Sequence, residues 1–344
     1  MFEKIRSLIF KFDPETAHDL AIKALKTKVV PINVKNYDSL KVKFLDKEIP
    51  NPIGIAAGFD KNAEVYNSLF KLGFGFVEVG TITPEPQFGN PKPRVFRLEE
   101  DEALINRLGF NNVGSKEAFN NINNDSPKGL LGINIGPNKD TKNRIEDYLK
   151  CFRTLNSLGD YITINISSPN TDNLRSFHNP KELEELLNIL NEEKLKISSS
   201  IKIAVKISPD LKSKDLDKIG NILLKNNIKI VIISNTSDRT RDNLKNINKF
   251  EKGGLSGKPI QQKSNLIINE FYKIFKNKIK IIGVGGVDSG KSAYEKFISG
   301  ASYIQLYTGM VYKGPNIVNE ISDELNDILC SDGVKNIEEI VGSN

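Results

Sequence analysis

Residues 162–170 read ITINISSPN, an alternating apolar run that ends in two serines, a proline and an asparagine. It belongs to a series of short runs rich in Ile, Val and Gly, most of them separated by segments with helical character. The eight runs are NPIGIAAG (51–58), FGFVEVG (74–80), LLGINIG (130–136), YITINISS (161–168), IKIAVKIS (201–208), IKIVIISN (228–235), IKIIGVGG (279–286) and ASYIQLYT (301–308). Repetition of strand and helix indicates parallel pairing, and eight such units close naturally into a (β/α)8 TIM barrel. An open, doubly wound sheet is the structural alternative.

The eight runs all end in small or polar residues, as in AAGFDK, NIGPN, NISSPN, ISNT and LYTG. In a barrel these ends converge on one face, where the active site is built. Glycine and alanine let a flat ligand approach the backbone, while Asn, Ser, Thr and Lys supply hydrogen bonds. An asparagine that only ends a strand in a turn is common. Three of them at such ends, Asn134, Asn165 and Asn235, favour a ligand site.

Glycine-rich segments after the last two strands point to a phosphate. IGVGGVDSG (282–290) opens a helix, and LYTG (306–309) ends the eighth run. Loops at these positions of a barrel often bind phosphate. The first segment is not a dinucleotide fingerprint, because only one strand follows it. GGLSGKP (253–259) is either a second loop over the same phosphate or a simple turn.

Lys206 lies between Val205 and Ile207 near the end of its strand, which indicates a buried ammonium group. Such a group is costly unless it meets an anion or strong acceptors. We favour ligand binding over a structural ion pair, and an anionic reduced flavin would suit this lysine.

Composition excludes several classes of protein. The 344 residues carry a net charge of only +6, with scattered lysines, so no nucleic-acid partner is expected. Cys151 and Cys330 are far apart, and His18 and His178 are the only histidines, so neither a disulfide framework nor a metal site is expected. No run approaches the roughly 20 apolar residues of a membrane span.

The N-terminus reads MFEKIRSLIFKF and then DPETAH. The first segment forms one apolar helical stripe, which consists of Phe2, Ile5, Ile9 and Phe12. In the second, Asp13 is a plausible N-cap and Pro14 opens a helix to about Lys26. The two short helices either cap the barrel or rest on a membrane surface as a basic amphipathic hairpin. Periodicity alone does not choose between these.

Several longer motifs occur in one order along the chain: DPETAH, AAGFDKN, GNPKPRVFRL, INRLGFNN, NISSPNT, GGLSGKP and IGVGG. With them the chain resembles, over essentially its whole length, the class 2, quinone-dependent dihydroorotate dehydrogenases. The resemblance implies oxidation of (S)-dihydroorotate to orotate in pyrimidine (UMP) biosynthesis, with FMN as hydride acceptor and a membrane quinone as final acceptor. Serine at position 168, where class 1 enzymes have cysteine, and the N-terminal helices both agree with class 2.

The resemblance also implies roles for individual residues. Ser168 matches the base that removes the C5 proton while hydride leaves C6 for the flavin N5. Serine is a poor base, so the site must stabilise its deprotonated form or relay the proton onward.

Residues that match the substrate pocket are Lys61, Asn106, Arg107, Leu108, Gly109, Phe110, Asn165, Asn170, Asn235 and Thr236, with Lys61 expected to pair with the substrate carboxylate. Residues that match FMN contacts are Ala57, Gly58, Phe59, Asp60, Lys61, Thr81, Asn134, Asn165, Lys206, Ser234, Gly257, Gly286, Tyr307 and Thr308. Residues that match the quinone site are His18, Arg97 and Tyr307.

The same resemblance divides the chain into a hairpin, residues 1–35, that forms a quinone tunnel at the membrane, and an FMN-binding barrel, residues 36–344. A monomer bound peripherally to the cytoplasmic face of a bacterial inner membrane is expected. One departure from the family is NTDNLR (170–175) in place of N-T-P-G-L-R. Asp172 and Asn173 can still form a turn, but the mobility of this loop over the substrate is in question.

Three other functions are weighed against this one. A soluble FMN-dependent enzyme could oxidise dihydroorotate or another dihydropyrimidine with a different acceptor. A non-catalytic barrel could bind a phosphate ligand. A serine hydrolase could use Ser168 with His178, although the chain has no G-x-S-x-G elbow.

Overall fold

The computed structural model describes residues 2–30, 32–171, 174–239 and 241–344. The strands are β1 (Val42–Phe44), β2 (Lys47–Ile49), β3 (Ile53–Ile55), β4 (Phe76–Ile82), β5 (Val95–Leu98), β6 (Ala103–Asn106), β7 (Leu130–Ile135), β8 (Tyr161–Asn165), β9 (Lys202–Ile207), β10 (Ile230–Ile233), β11 (Gly254–Gly257), β12 (Lys280–Val284) and β13 (Tyr303–Leu306). The helices are α1 (Phe2–Ile9), α2 (Pro14–Lys26), α3 (Tyr66–Lys71), α4 (Ser115–Asn124), α5 (Arg144–Leu155), α6 (Pro180–Lys196), α7 (Ser213–Lys225), α8 (Gln261–Phe275), α9 (Gly290–Ile298), α10 (Thr308–Lys313) and α11 (Ile317–Ser331).

Parallel strands close into a barrel in the order β10-β12-β13-β3-β4-β7-β8-β9. Each of these strands lies within one of the eight runs identified in the sequence, or overlaps it closely, so the TIM barrel is confirmed. Almost every residue in them is buried, because helices cover the outside and side chains fill the inside. The open-sheet alternative is wrong.

The two ends of the barrel differ in chemistry. At the amino-terminal end, the β1–β2 hairpin inserts Phe44, whose ring stacks on Tyr303 at 4.0 Å and meets Phe76 edge-on at 5.2 Å. This aromatic plug closes that end of the barrel. The carboxyl end instead carries the amide, hydroxyl and lysine side chains predicted from the sequence, so that end offers the groups that a polar ligand needs.

The two long connections contain a small sheet of their own. β5 and β6 from the first connection pair antiparallel, and β11 from the second pairs with β6 from Gly254 to Gly257. GGLSGKP is therefore a strand followed by a short 3-10 helix, and not a simple turn. A Cβ on Gly254 would lie 1.9 Å from Thr236 Oγ1, so glycine is needed for β11 to approach the barrel rim.

The second N-terminal helix, α2, begins at Pro14 and ends at Lys26 as predicted, whereas α1 ends at Ile9, so Phe12 of the predicted stripe lies outside it. The Asp13 side chain accepts hydrogen bonds from the N–H groups of Glu15 and Thr16, both at 3.0 Å, which caps α2. Glu15 in turn accepts two hydrogen bonds from Arg94, at 3.0 and 2.5 Å, and joins α2 to the segment before β5. Within the described residues, no helix combines the length and apolarity needed to cross a membrane.

Candidate active site

One cavity opens at the carboxyl end of the barrel, beneath the β5–β6–β11 sheet. It brings together most of the predicted residues: Ala57, Gly58, Lys61, Thr81, Asn106, Leu108, Gly109, Phe110, Asn165, Ser168, Asn170, Lys206, Ser234, Asn235, Thr236, Gly257, Gly286, Tyr307 and Thr308. These residues come from all parts of the chain between positions 57 and 308, and the barrel alone makes them neighbours. A shared cavity of this kind is the arrangement that a ligand site requires.

Ser168 lies just beyond β8 and is only 6% exposed. Its Oγ accepts a hydrogen bond from the Asn170 N–H at 3.2 Å, and no other hydrogen bond joins this hydroxyl to a described residue. The hydroxyl proton is therefore free to face the cavity. His178 does not line the cavity, and burial lowers the pKa of its imidazole to about 4. The described residues thus contain no Ser–His pair for a hydrolase.

Buried amides support the floor of the cavity. Asn134 accepts hydrogen bonds from Thr81 Oγ1 at 2.7 Å and from Asn165 Nδ2 at 3.2 Å, while its own amide donates to Glu78 at 2.8 Å. Asn165 also contacts the rim, since its Oδ1 accepts from Asn235 Nδ2 at 3.4 Å. Asn134 therefore lies one layer below the cavity wall and orients the amides that form it.

Lys206 projects from β9 into the cavity and is 5% exposed. No hydrogen bond or ion pair within 4 Å joins its ammonium group to another described residue, so the structural ion pair is not formed. Burial lowers the pKa of Lys206, and the charge of Glu78 opposes that shift. A buried cation without a partner needs an anionic or strongly accepting group in the cavity.

The glycines on the opposite wall leave room for backbone contact with a ligand. Gly257 and Gly286 have φ values of 97° and 77°, a region that favours glycine. The Gly286 N–H makes no hydrogen bond to a described residue. Beside it, the hydroxyls of Ser256 and Thr308 lie 2.9 Å apart and both face the cavity. This wall offers several donors to a phosphate.

A second cavity lies between α2 and the barrel, with His18, Phe59, Asp60 and Lys61 in its lining. Lys61 Nζ is 3.3 Å from His18 Nε2, and Lys61 also lines the first cavity. Burial, and then the Lys61 charge, lower the pKa of His18 to about 3; burial lowers the pKa of Lys61 to about 8. The imidazole is therefore neutral and shares its site with a cation at neutral pH.

Aromatic rings connect the hairpin with the first cavity by two routes. The His18 ring meets Phe59 edge-on at 5.3 Å, and Phe59 meets Tyr307 at 6.0 Å. By the second route, Phe10 of the hairpin lies 5.4 Å from Tyr312. Tyr307 and Tyr312 both line the first cavity. The hairpin thus contacts the barrel site through aromatic side chains.

Arg97 lies under the turn between α1 and α2 and does not line the first cavity. Its Nη1 donates to the carbonyls of Phe10 at 3.2 Å and Phe12 at 2.8 Å, and its guanidinium covers the Phe10 ring at 4.5 Å. Its Nε is buried without a hydrogen-bond partner. One donor is thus left for a ligand beside the hairpin.

Three further predicted residues lie outside the first cavity. Arg107 turns toward the second insertion, where it pairs with Glu251 at 2.8 Å. Asp60 accepts hydrogen bonds from the N–H groups of Glu64 and Val65, both at 2.8 Å, and burial raises its pKa to about 6. Phe59 faces the second cavity. The loop positions 172 and 173 lie outside the described residues.

The sequence reasoning missed two charged residues of the site. Glu78 lies inside the barrel, where the only signal was a glutamate within the apolar run FGFVEVG. Arg175 donates to the carbonyls of Ser167 at 3.1 Å and Thr236 at 3.2 Å, and pairs with Asp210 at 3.2 Å. Arg175 thereby joins the segment that carries Ser168 to the loop after β10.

Comparison with known proteins agrees with this geometry. Residues 39–329 match the family model described as dihydroorotate dehydrogenase. The chain belongs to the dihydroorotate dehydrogenase family. A relative from Idiomarina loihiensis, named dihydroorotate dehydrogenase (quinone), is 44% identical over 335 residues, covering 94% of this chain and 100% of the relative. Another of the same name, from Buchnera aphidicola subsp. Schizaphis graminum, is 46% identical over 327 residues, covering 92% of this chain and 97% of the relative.

A solved dihydroorotate dehydrogenase shares the fold closely. The enzyme from Eimeria tenella, crystallised with ferulenol, superposes with a TM-score of 0.93 at 35% identity, covering 96% of this chain and 95% of that one. The ligand-free form of the Eimeria tenella enzyme gives a TM-score of 0.92. The predicted family and the prediction of an oxidoreductase are confirmed. Dihydroorotate dehydrogenases are flavin-dependent in general.

Proposed function

We propose that this chain oxidises (S)-dihydroorotate to orotate in pyrimidine biosynthesis, with FMN as hydride acceptor and a membrane quinone as final acceptor. One observation supports this most strongly: the Ser168 hydroxyl, the Lys206 ammonium and the amides of a predicted pyrimidine pocket share one cavity. Relatives of 44–46% identity that bear the name dihydroorotate dehydrogenase (quinone) agree with it.

The residues present fit FMN. When bound, FMN would supply an acceptor for the hydride that leaves the substrate. Lys206 has no hydrogen-bond or ion-pair partner among the described residues and would neutralise negative charge on the flavin. Gly257, Gly286 and Thr308 would hold the phosphate through backbone N–H groups and a hydroxyl. The amides of Asn134 and Asn165 would support the flavin from the floor of the cavity.

Ser168 would act as the base toward the substrate C5 proton. The Asn170 N–H donates to its Oγ and so stabilises negative charge as the hydroxyl loses its proton. Lys61, with its pKa lowered by burial to about 8, keeps a positive charge at neutral pH for the substrate carboxylate. Amides of Asn106, Asn170 and Asn235 face the same space and would orient the pyrimidine.

The test begins with the purified protein, which should be yellow and bleach anaerobically when dihydroorotate is added. Ser168→Ala should keep its flavin but bleach at least about 100-fold more slowly, the usual contribution of a general base. Ser176→Ala is the matched control, because Ser176 follows in the same segment without lining the cavity. Wild-type protein that binds no flavin would contradict the function. Normal bleaching in Ser168→Ala would contradict only the role of Ser168.

The hairpin of residues 1–35 would admit the quinone and hold the protein, as a monomer, on the cytoplasmic face of the bacterial inner membrane. Three observations support this. Ile5, Leu8 and Phe12 expose 48–59% of their surface. His18 and Phe59 lie between the hairpin and Tyr307. The Arg97 Nε has no partner, so it could donate to a quinone oxygen.

A further inference from the structure

The interior of the barrel contains a carboxylate. Glu78 on β4 is 0% exposed, in a position where barrels of this kind normally carry Val, Ile or Leu. Its oxygens accept hydrogen bonds from Asn134 Nδ2 at 2.8 Å, Tyr161 OH at 3.0 Å and Gln305 Nε2 at 3.0 Å. All three donors are neutral, and no Lys or Arg of the described chain pairs with Glu78 within 4 Å. A buried carboxylate is costly, and these bonds compensate for it only in part.

This carboxylate sets the direction of the hydrogen bonds above it. The Glu78 oxygens accept all three hydrogen bonds, so Asn134 turns its NH2 group toward Glu78 and its Oδ1 toward Thr81 and Asn165. That oxygen accepts from Asn165 Nδ2, so Asn165 in turn presents its Oδ1 to Ser167 Oγ at 2.9 Å and to Asn235. One group below the cavity therefore decides which amide atoms face a ligand above.

We propose that Glu78 is a positioning residue of the flavin site, which fixes the orientation of the Asn134 and Asn165 amides. This role rests on the proposed flavin function. Glu78 itself does not line the cavity, so it acts through these two residues and not by contact with a ligand.

Glu78→Gln tests the acceptor while keeping the shape. The new amide can be accommodated, because Gln305 Oε1 is buried without a hydrogen-bond partner among the described residues and can turn to accept from it. An amide donates as well as accepts, so this variant no longer dictates which atoms of Asn134 and Asn165 face the cavity. The measurements are flavin retention on dilution and the midpoint potential of the bound flavin. Glu78→Gln should lose flavin about tenfold more readily than the wild type, the effect of one hydrogen bond, and its bound flavin should have a different midpoint potential.

Glu78→Asp tests the orientation while keeping the charge, because the shorter side chain no longer reaches Asn134. It should lose flavin about tenfold more readily on dilution, the effect of one hydrogen bond. This variant keeps the proposal testable if Glu78→Gln does not fold. Glu193→Gln is the control, since it removes a carboxylate on α6 that pairs with Arg153 outside the barrel.

A wild-type potential and wild-type flavin retention in Glu78→Gln, together with wild-type flavin retention in Glu78→Asp, would overturn the proposal. A change in the same direction and size in Glu193→Gln would also overturn it, because the effect would then be one of net charge. Failure of the proposed function is distinct from both outcomes: the wild-type protein itself would bind no flavin.

Discussion

Lys296 is fully buried in the folded protein. It lies on α9 with no exposed surface, and its ammonium donates to Asn265 Oδ1 at 2.7 Å and Ser264 Oγ at 3.2 Å. Burial lowers its pKa from 10.5 to about 7. Between these two values the unfolded chain binds more protons at this position than the folded chain. Stability contributed by this group therefore rises with pH across that window.

Replacing Lys296 with methionine should remove this dependence. Relative to Lys296→Met, the wild-type unfolding free energy should increase by up to about 1.4 kcal/mol per pH unit above pH 7. Urea titrations at about pH 7, 8 and 9 measure the difference. Lys196→Met, at an exposed position of α6, should show no such trend. If the unfolding free energies of wild type and Lys296→Met change with pH in the same way across this range, the pKa of Lys296 is not lowered by folding.

Individual site residues could be predicted where a polar side chain lies at the end of a recognisable strand. Lys206 and Asn165 could be predicted because each ends a recognisable strand with a polar group. Glu78 was missed although the run FGFVEVG contains it, because a glutamate within a strand can equally face solvent on an edge. Its inward direction depends on the barrel register, in which Glu78 lies opposite Gly132 of β7. A single sequence does not contain that register.

The N-terminal hairpin exposes several large apolar side chains. Ile5 and Leu8 of α1 are 48% and 59% exposed. If α1 rests on lipid, Ile5→Ser combined with Leu8→Ser should weaken binding to lipid vesicles at least about tenfold, since each buried side chain of this size contributes about 1.5–3 kcal/mol. Vesicle cosedimentation measures this, and dihydroorotate oxidation with a soluble dye should stay unchanged.

The matched control for the hairpin is Leu195→Ser with Leu266→Ser. These leucines are 79% and 65% exposed but belong to α6 and α8 on the barrel exterior. The control removes a similar apolar area and should leave vesicle binding intact. Equal losses in both double variants would mean that general hydrophobicity, and not the hairpin, causes the binding.

The strands and helices of the barrel could be predicted from the sequence, whereas the β5–β6–β11 sheet could not. Apolar runs of the barrel strands repeat between helices, and that period is visible in any one sequence. The strands VFRL, ALIN and GLSG have four residues each, are separated by up to about 150 positions and include polar residues. Their pairing depends on the barrel that brings the two insertions together, so local pattern cannot reveal it.

The molecule as a whole has two adjoining cavities, one between α2 and the barrel and one at the carboxyl end of the barrel, and Lys61 lines both. A chain that lacks residues 1–35 should therefore keep its FMN and its reduction by dihydroorotate but lose quinone reduction and membrane association. Anaerobic bleaching and reoxidation by a soluble quinone, followed separately, test the two half-reactions. Retained quinone turnover in the shortened chain would refute the tunnel. Loss of bound FMN would show that α2, through the Glu15–Arg94 pair, is part of the barrel's stability.

Lys61 lines both cavities, and its ammonium group lies beside the His18 imidazole. A carboxylate bound in the barrel would attract the ammonium group and reduce its repulsion of a proton on His18. The imidazole would then become more basic, although nothing had touched it directly. A carboxylate in the first cavity would thus raise the pKa of His18 in the second cavity through the charge of Lys61 alone, and a ligand in one cavity would alter the affinity of the other cavity for its own ligand.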